Sequence, residues 1–166
     1  MKVEALGARP GRSCSLEDSL WEAALHLRNA PGGLLAVADE RGKFLGDLRD
    51  QDVVHALAQA GPSAGGMPVR IFVQSSVPLC RPSEDVREAL RTMRTRKLLA
   101  LPIVDGAGLF QGVLRFEDLA LSACPDRVAG PDDLSYEDIV LALKSIAAGR
   151  RQIEEAVPVP PLVASL

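Results

Sequence analysis

The sequence FLGDLRDQD at residues 44–52 returns as FQGVLRFED at residues 110–118. Both stretches have the form F-x-G-x-L-R-x-x-D, and each residue of the second lies 66 positions after its counterpart in the first. Self-similarity at a fixed period is the mark of a duplicated structural unit. The phrase therefore predicts that the chain folds as two similar halves.

The same offset continues towards the N-terminus without a gap. It pairs identical residues at many positions and residues of like apolar character at others. The identical pairs are Cys14/Cys80, Glu22/Glu88, Ala23/Ala89, Arg28/Arg94, Leu35/Leu101, Asp39/Asp105 and Gly42/Gly108, and the apolar pairs are Leu20/Val86, Leu27/Met93 and Val37/Ile103. The duplication therefore covers a unit much longer than the phrase itself.

The composition is typical of an ordinary globular protein. Of the 166 residues, 47% are hydrophobic and 25% are charged, which suits one compact domain with a full core. The chain has no run of about 18 apolar residues, and its first residues lack the apolar stretch of a signal peptide. We therefore expect a cytoplasmic protein with no membrane partner. The net charge of −3 makes nucleic acid an unlikely partner, because general binding relies on a basic face.

The three cysteines, Cys14, Cys80 and Cys124, have no C-x-x-C spacing. In a reducing compartment we expect them to be free thiols. Cys14 and Cys80 occupy equivalent repeat positions, which favours two small buried side chains over a reactive pair.

The first half predicts a helix, a hairpin and a second helix. Apolar residues recur at helical spacing over residues 17–29, with Ser15 as the expected cap and Trp21 expected in the core or at its edge. Strands are predicted at 34–38 and 43–48 around a turn at 39–42. A helix should begin near Asp50, and the glycine-rich residues 61–66 should be a flexible boundary.

The second half and the C-terminal part continue this order. The expected elements are a strand at 69–73, a helix capped by Ser83, strands at 99–104 and 109–114 around a turn at 105–108, a short helix after Arg115, a helix at 135–149 with a Ser135-x-x-Asp138 start, and an extended or disordered tail at 157–161. Residues 1–12 should form a lead-in with at most a short turn.

These elements define an α+β fold. Each half reads strand, helix, strand, strand, helix, and one half alone would expose an apolar face of its small sheet. The two halves should therefore pack together through their sheets, with a C-terminal helix added. The predicted units are residues 1–66, 67–125 and 126–166.

With these residues in view, the chain resembles the cystathionine-β-synthase (CBS) domain family, and the tandem pair resembles a Bateman module. The resemblance covers about residues 13–123 and rests on LPIVD at 101–105 and on the two G-x-L-R-x-x-D phrases. It implies that adenosine-containing ligands bind in clefts between the two units. It also implies a homodimer that regulates an enzyme, channel or transporter.

The site residues follow from the phrase. Asp52 and Asp118 match the family's Asp, whereas Arg49 and Arg115 stand where the family has Ser or Thr. Arginine has no acceptor and cannot cap a helix, so reciprocal capping should be lost. Two interpretations remain: the carboxylate binds a ribose diol and the guanidinium a phosphate, or the Arg and Asp pair internally at i, i+3.

The two half-sites differ in sequence. Arg96 and Lys97 precede Pro102 in the second half, near where the resemblance implies phosphate contacts, while the first half has Pro31-Gly32 there. Asp47 also places a charge where the family has an apolar strand residue. We therefore expect a site around Asp118, with Arg96 or Lys97 reaching phosphates. The full candidate ligand-binding set is Asp118, Arg115, Lys97, Arg96, Pro102, Cys80, Asp52 and Arg49.

No motif predicts catalysis or a metal site. Residues 106–112 are rich in glycine but join strand to strand, so they predict a hairpin turn and not a phosphate loop. Arg87, Arg91 and Arg94 share a helix face that favours a solvated surface over a partner or phosphate surface. The leading hypothesis is a regulatory binding module for AMP, ADP, ATP or S-adenosylmethionine that requires no cofactor. The alternative is a degenerate pair used for ligand-independent dimerisation or protein interaction.

Overall fold

A computed structural model describes residues 1–7 and 10–156. Its strands are β1 (Ser13–Cys14), β2 (Leu34–Ala38), β3 (Phe44–Arg49), β4 (Ala100–Val104) and β5 (Phe110–Arg115). Its α-helices are α1 (Leu20–Leu27), α2 (Asp50–Ala60), α3 (Val86–Arg96), α4 (Phe116–Ser122) and α5 (Tyr136–Ala156). Short 3-10 helices lie at Val3–Leu6, Pro31–Gly33, Gly61–Gly66 and Val69–Ile71.

The predicted repeat is present in the sheet registers. In the first half β2 pairs antiparallel with β3, starting with Leu34 opposite Arg49, and β1 joins β2 in parallel. In the second half β4 pairs antiparallel with β5, starting with Ala100 opposite Arg115. A bulge interrupts both hairpins at the same repeat position. The α+β fold and the two hairpin turns are therefore confirmed.

The two halves exchange their leading segments. Val3 is buried in the core of the second half, and Val69, which follows it by 66 positions, is buried in the core of the first. The Val3 N–H donates to the Glu84 carbonyl at 3.0 Å, and the Val69 N–H donates to the Asp18 carbonyl at 2.8 Å. The repeat therefore extends back to the start of the described chain.

This exchange explains one wrong prediction. The alternation of residues 69–73 predicts a strand, but Val69–Ile71 forms a 3-10 helix. The backbone N–H groups of Val69 and Arg70 donate to carbonyls of the loop before α1 and not to a neighbouring strand. Val69 is buried, but Ile71 is 59% exposed. The chain reaches a sheet edge just beyond this segment, where Gln74 pairs with Asp47 of β3.

Two helix caps lie later than predicted. Ser19, and not Ser15, caps α1, because its hydroxyl accepts from Glu22 N–H at 3.2 Å while the Glu22 carboxylate accepts from Ser19 N–H at 3.0 Å. Asp85, and not Ser83, caps α3, accepting from Arg87 N–H at 2.9 Å. These caps are repeat equivalents, and both supply the acceptor that a helix start needs.

The glycine-rich residues 61–66 are ordered into a 3-10 helix and do not form an irregular linker. Ala64 in this segment is fully buried in the core of the first half. The segment therefore belongs to the packing of the first half. The division into units at residues 66 and 125 stays a prediction.

The halves meet through their sheets, as expected. Leu34, Ala100 and Val113 are buried together between them, with Phe110 packed against this cluster. Phe44 and Phe110, which are repeat equivalents, stack with ring centroids 6.2 Å apart. The hairpin tips also join, since Phe44 N–H donates to the Gly108 carbonyl and Phe110 N–H to the Gly42 carbonyl.

The C-terminal helix is part of the second half's core. Its predicted start is confirmed, because Asp138 N–H donates to the Ser135 hydroxyl at 3.2 Å and Ser135 N–H to the Asp138 carboxylate at 3.0 Å. Leu134, Ala142 and Ile146 are buried against α3 and α4. The tail predicted at 157–161 lies outside the described residues. Within the described part of the chain, the helices are all too short or too polar to cross a membrane.

Candidate functional site

The two repeated phrases place an arginine and an aspartate at the starts of α2 and α4. Each strand runs into its helix without a loop, so Arg49 and Arg115 stand at the N-cap positions. Asp52 accepts from the Arg49 N–H at 2.7 Å, and Asp118 accepts from the Arg115 N–H at 3.0 Å. The return bond is missing because a guanidinium has no acceptor. The predicted loss of reciprocal capping is confirmed, while the aspartates still serve as one-sided caps.

In the second half the arginine closes onto its own aspartate. Arg115 Nη2 and Nε donate to the Asp118 carboxylate at 2.7 Å and 3.1 Å, and Arg115 Nη1 lies 2.8 Å from Glu117. The hydrogen bonds that the Arg115 guanidinium donates to Asp118 raise its pKa, against the opposing effect of burial. This is the internal i, i+3 pair considered above.

In the first half the arginine takes a different partner. Arg49 Nη2 donates to Asp47 at 2.7 Å, and both terminal nitrogens lie 3.4 Å from the Ala100 carbonyl oxygen of the second half. Asp47 has no exposed surface, and its other oxygen, Oδ1, is buried without a partner among the described residues. Burial raises the pKa of the Asp47 carboxyl, although Arg49 acts in the opposite direction.

Arg49 lines a cavity between the halves. The cavity has a volume of about 350 Å³, within the range of roughly 300–1,000 Å³ that small-molecule sites occupy. The first half contributes Gly32, Gly33, Arg49, Asp50 and Gln51, and the second half contributes residues 96–99. Three cationic side chains, those of Arg49, Arg96 and Lys97, therefore surround one space together with the single acidic side chain of Asp50.

This grouping differs from the one expected from the sequence. Arg96 and Lys97 line a cavity with Arg49 and Asp50, and Asp118 is not among its lining residues. The reason is the crossed packing of the halves: the loop before β4 faces the start of α2 in the other half. Its repeat equivalent, the Pro31–Gly33 turn, faces the second half, and a Cβ built at Gly32 would lie 3.5 Å from Arg115 Cγ.

Arg96 and Lys97 are held differently. Lys97 ends α3 in the left-handed conformation (φ 59°) and donates from Nζ to the Ser145 hydroxyl of α5 at 2.6 Å. Arg96 is exposed, and no hydrogen bond or ion pair holds it within the described ranges. Arg96 also lines a second cavity of about 470 Å³, which includes the hydroxyl-bearing residues Ser76, Thr92 and Thr95. Among the described residues, the Arg96 guanidinium is therefore not committed to another side chain.

Cys80 and Pro102 are not among the residues that line either cavity. Their side chains are buried where Cys80 joins the β4 edge, with Cys80 N–H donating to the Pro102 carbonyl at 3.0 Å. Burial raises the pKa of the Cys80 thiol to about 12 and that of Cys14 to about 11. All three cysteines are free, and the expectation that Cys14 and Cys80 are small buried side chains is confirmed.

The arginine-rich face of α3 is only partly solvated. Arg91 is exposed and paired with Glu88 at 2.7 Å, whereas Arg87 lies 3.6 Å from Asp138 and donates to the Asp133 carbonyl. Arg94 is exposed. Part of the predicted basic surface therefore serves to attach the C-terminal segment. In the described part of the chain, no group of three His, Cys, Asp or Glu residues has metal-binding geometry.

Asp47 is an unusual charge in the sequence, but its pairing with Arg49 was not predicted. Residues two apart on a strand point to the same face, so Asp47 and Arg49 could have been paired from the pattern alone. The cavity itself could not have been predicted from the sequence, because it depends on how one half packs across the other.

Comparison with known proteins agrees with this architecture. Residues 70–122 match the family model of the CBS domain. A search of curated proteins finds no match. Among solved structures, the CBS domain protein TA0289 from Thermoplasma acidophilum is 19% identical with a TM-score of 0.67, over 87% of this chain and 75% of that one.

Two similar structures contain ligands. The CBS domain pair of protein MJ0100, in complex with 5′-methylthioadenosine and S-adenosyl-L-methionine, is 24% identical with a TM-score of 0.63, over 73% of this chain and 94% of that one. The CBS domain protein PAE2072 from Pyrobaculum aerophilum, complexed with AMP, is 22% identical with a TM-score of 0.63, over 72% of this chain and 90% of that one.

Proposed function

We propose that this chain, which folds as a tandem CBS-domain pair, is a regulatory binding protein and not an enzyme. Its ligand would contain adenosine, as AMP, ADP, ATP and S-adenosylmethionine do, and would bind in the cavity at the start of α2. The observation that carries the proposal is the convergence of Arg49, Arg96 and Lys97 on one space between the halves. The adenosyl ligands of MJ0100 and PAE2072 support the ligand class.

Each residue has a role suited to its chemistry. Although Asp47 pairs with Arg49 from behind, the cavity wall itself presents Arg49, Arg96 and Lys97 against Asp50, which favours an anionic group. A guanidinium can bind phosphate with two parallel hydrogen bonds. Asp52, next to the lining residue Gln51, matches the family's ribose-binding Asp and would accept from a ribose hydroxyl. The regulated protein would respond to the ligand-bound form of this chain. It can do so only if it interacts differently with the ligand-bound and ligand-free forms.

Replacing Arg96 by alanine should weaken AMP binding about tenfold, since one charge-assisted hydrogen bond contributes roughly 1.5–3 kcal/mol. Adenosine, which has no phosphate, should bind both proteins equally. Isothermal titration of protein freed of carried-over ligand measures both affinities.

The matched control is Arg94→Ala. Arg94 lies two residues earlier on α3, is also exposed and does not line this cavity, so its removal should leave AMP affinity within about twofold. Equal losses in the two variants would contradict a specific role for Arg96. Absence of heat with all four adenosyl ligands would reject the proposed function.

A second candidate function, self-association, is favoured by a specific surface. Trp21 and Leu25 on α1 and Val54 and Leu57 on α2 are 66%, 51%, 66% and 47% exposed. The expectation that Trp21 lies in the core or at its edge is therefore wrong. Four large apolar side chains on two adjacent helices form a patch of the kind that marks a protein interface. We call it the first-half helix face.

The second half shows how such a face is covered. There α5 of the same chain packs over α3 and α4. The first-half helix face has no such cover in the described chain, and the acidic Glu22 borders it, whereas the exposed Arg91 and Arg94 lie on the second half's α3. This complementary charge favours a second copy of the chain, arranged head to tail, as the partner.

We expect a dimer in sedimentation equilibrium, and Trp21→Glu should raise its dissociation constant at least thirtyfold, because a central interface tryptophan typically contributes about 2 kcal/mol or more. Val128→Glu is the control, since Val128 is 73% exposed but lies outside this face. A wild-type protein that stays monomeric, or equal dissociation of both variants, would rule out this surface as the dimer contact.

A further inference from the structure

The two repeated arginines make different contacts although their phrases match. Arg115 binds Asp118 three residues later, whereas Arg49 binds Asp47 two residues earlier. The residue equivalent to Asp47 in the second half is Val113, which is buried and offers no acceptor. The two motifs also differ at Leu45/Gln111, Asp50/Phe116 and Gln51/Glu117, but Asp47/Val113 is the difference that gives Arg49 a carboxylate on its own strand and denies one to Arg115.

We propose that Asp47 is a positioning residue that keeps Arg49 away from Asp52 and so makes the first half-site the ligand-competent one of the two. The inference rests on the proposed function in one respect only, the adenosine-containing ligand. It assigns to this buried carboxylate a task that the ligand-binding residues themselves do not perform.

The physical reason lies in burial. The Arg49 side chain is only 14% exposed and that of Asp47 is fully buried, so each charge needs its partner, because an unpaired buried charge is costly. Arg115 is similarly shielded, at 17% exposure, and has no carboxylate on its strand at the equivalent position. It pairs instead with Glu117 at i+2 and Asp118 at i+3. Without Asp47, the i+3 carboxylate, Asp52, is open to Arg49, while Gln51 stands where the second half has Glu117.

The consequence for the site is twofold. Asp52 receives its one hydrogen bond from a backbone N–H, and within the described residues no guanidinium contacts it. Its carboxylate can therefore accept from a ribose diol, whereas Asp118 is engaged by Arg115. Arg49 meanwhile remains at the cavity wall, where the Ala100 carbonyl also orients it.

Asp47→Val tests this, because it installs the residue that the second half already uses in the same strand position. With adenosine as the titrated probe, we expect binding to weaken at least tenfold as Arg49 turns onto Asp52. Adding Arg49→Thr removes the blocking group, and the double variant should recover to within about threefold of wild type. Asp47→Asn, which keeps an acceptor for Arg49 but removes the charge, should weaken binding to a value between those of wild type and Asp47→Val.

A merely structural role predicts otherwise. If Asp47→Val only loosened the fold, the double variant would stay as weak as the single one, and that result, or an unchanged affinity in Asp47→Val, overturns the inference. Should Asp47→Val fail to fold, Asp47→Asn takes its place, and a loss in Asp47→Asn that Arg49→Thr does not restore would likewise count against it.

A crystal structure of Asp47→Val separates this inference from the proposed function. Arg49 within hydrogen-bonding distance of Asp52 supports the positioning role even if wild-type protein binds no adenosine. Arg49 left in its present position rejects it even if wild type binds well.

Discussion

Replacing Gly46 by alanine should destabilise the protein by about 3 kcal/mol, at the upper end of what overpacking a tight site costs. A Cβ built on Gly46 would lie 2.3 Å from the Gln74 carbonyl oxygen and 2.8 Å from Val73 Cγ2. The first of these atoms is backbone, held by reciprocal hydrogen bonds of 3.1 Å between Asp47 and Gln74. It cannot move aside without breaking the contact that joins this segment to β3.

Urea denaturation measures the effect, with the free energy of unfolding taken from the linear dependence on denaturant. Gly66→Ala is the control, because no atom lies within 4 Å of its built Cβ and its φ is not left-handed. Its effect should stay within about 0.5 kcal/mol, as for ordinary surface changes. A loss below about 1 kcal/mol for Gly46→Ala would show that residues 73–74 do not cross β3 this closely.

Ile146→Asp should be the most damaging change in the C-terminal helix. Ile146 is 1% exposed and packs in the second half's core with Met93 and Leu101. The substitution removes a large apolar side chain and introduces a carboxyl group with no partner, and both effects are unfavourable. We expect a loss of about 4 kcal/mol, or the detachment of α5 from α3.

Thermal unfolding by circular dichroism and limited proteolysis distinguish these two results. Leu141→Asp is the matched control on the same helix, since Leu141 is 48% exposed, and it should change the free energy of unfolding by no more than about 0.5 kcal/mol. If Ile146→Asp were equally harmless, α5 would not be a component of the core. The conclusion that α5 covers the second half would then be wrong.

The parts of the fold that were predictable rest on local pattern. The hairpins follow from short apolar runs around an aspartate and a glycine, and in both turns the aspartate accepts backbone hydrogen bonds, as at Asp39 and Asp105. The equal spacing of the two phrases then predicts that the hairpins match. Such features involve residues close in sequence, so neither the packing of the halves nor the exchange of segments alters them.

The parts that could not be predicted depend on contacts between distant segments. Residues 69–73 alternate like a strand, yet the backbone N–H groups of Val69 and Arg70 bind the loop before α1, and Gln74, just beyond them, is the residue that pairs with β3. Trp21 adjoins an apolar stripe but points to the surface. Arg96 faces Arg49 and not Asp118 because the halves cross. In each case the sequence shows whether a residue is apolar or charged, but not which residues it contacts in the folded protein.

The exchange of leading segments separates the copied unit from the folding unit. Residues 1–66 and 67–132 are the sequence periods, but the first period contains Val3, which fills the other half's core, and lacks Val69, which fills its own. If the chain were cut between residues 66 and 67, each fragment would contain the leading segment that packs in the core of the other half. One half therefore cannot be moved into another protein as a single sequence period. A unit with a complete core has to combine residues from both periods.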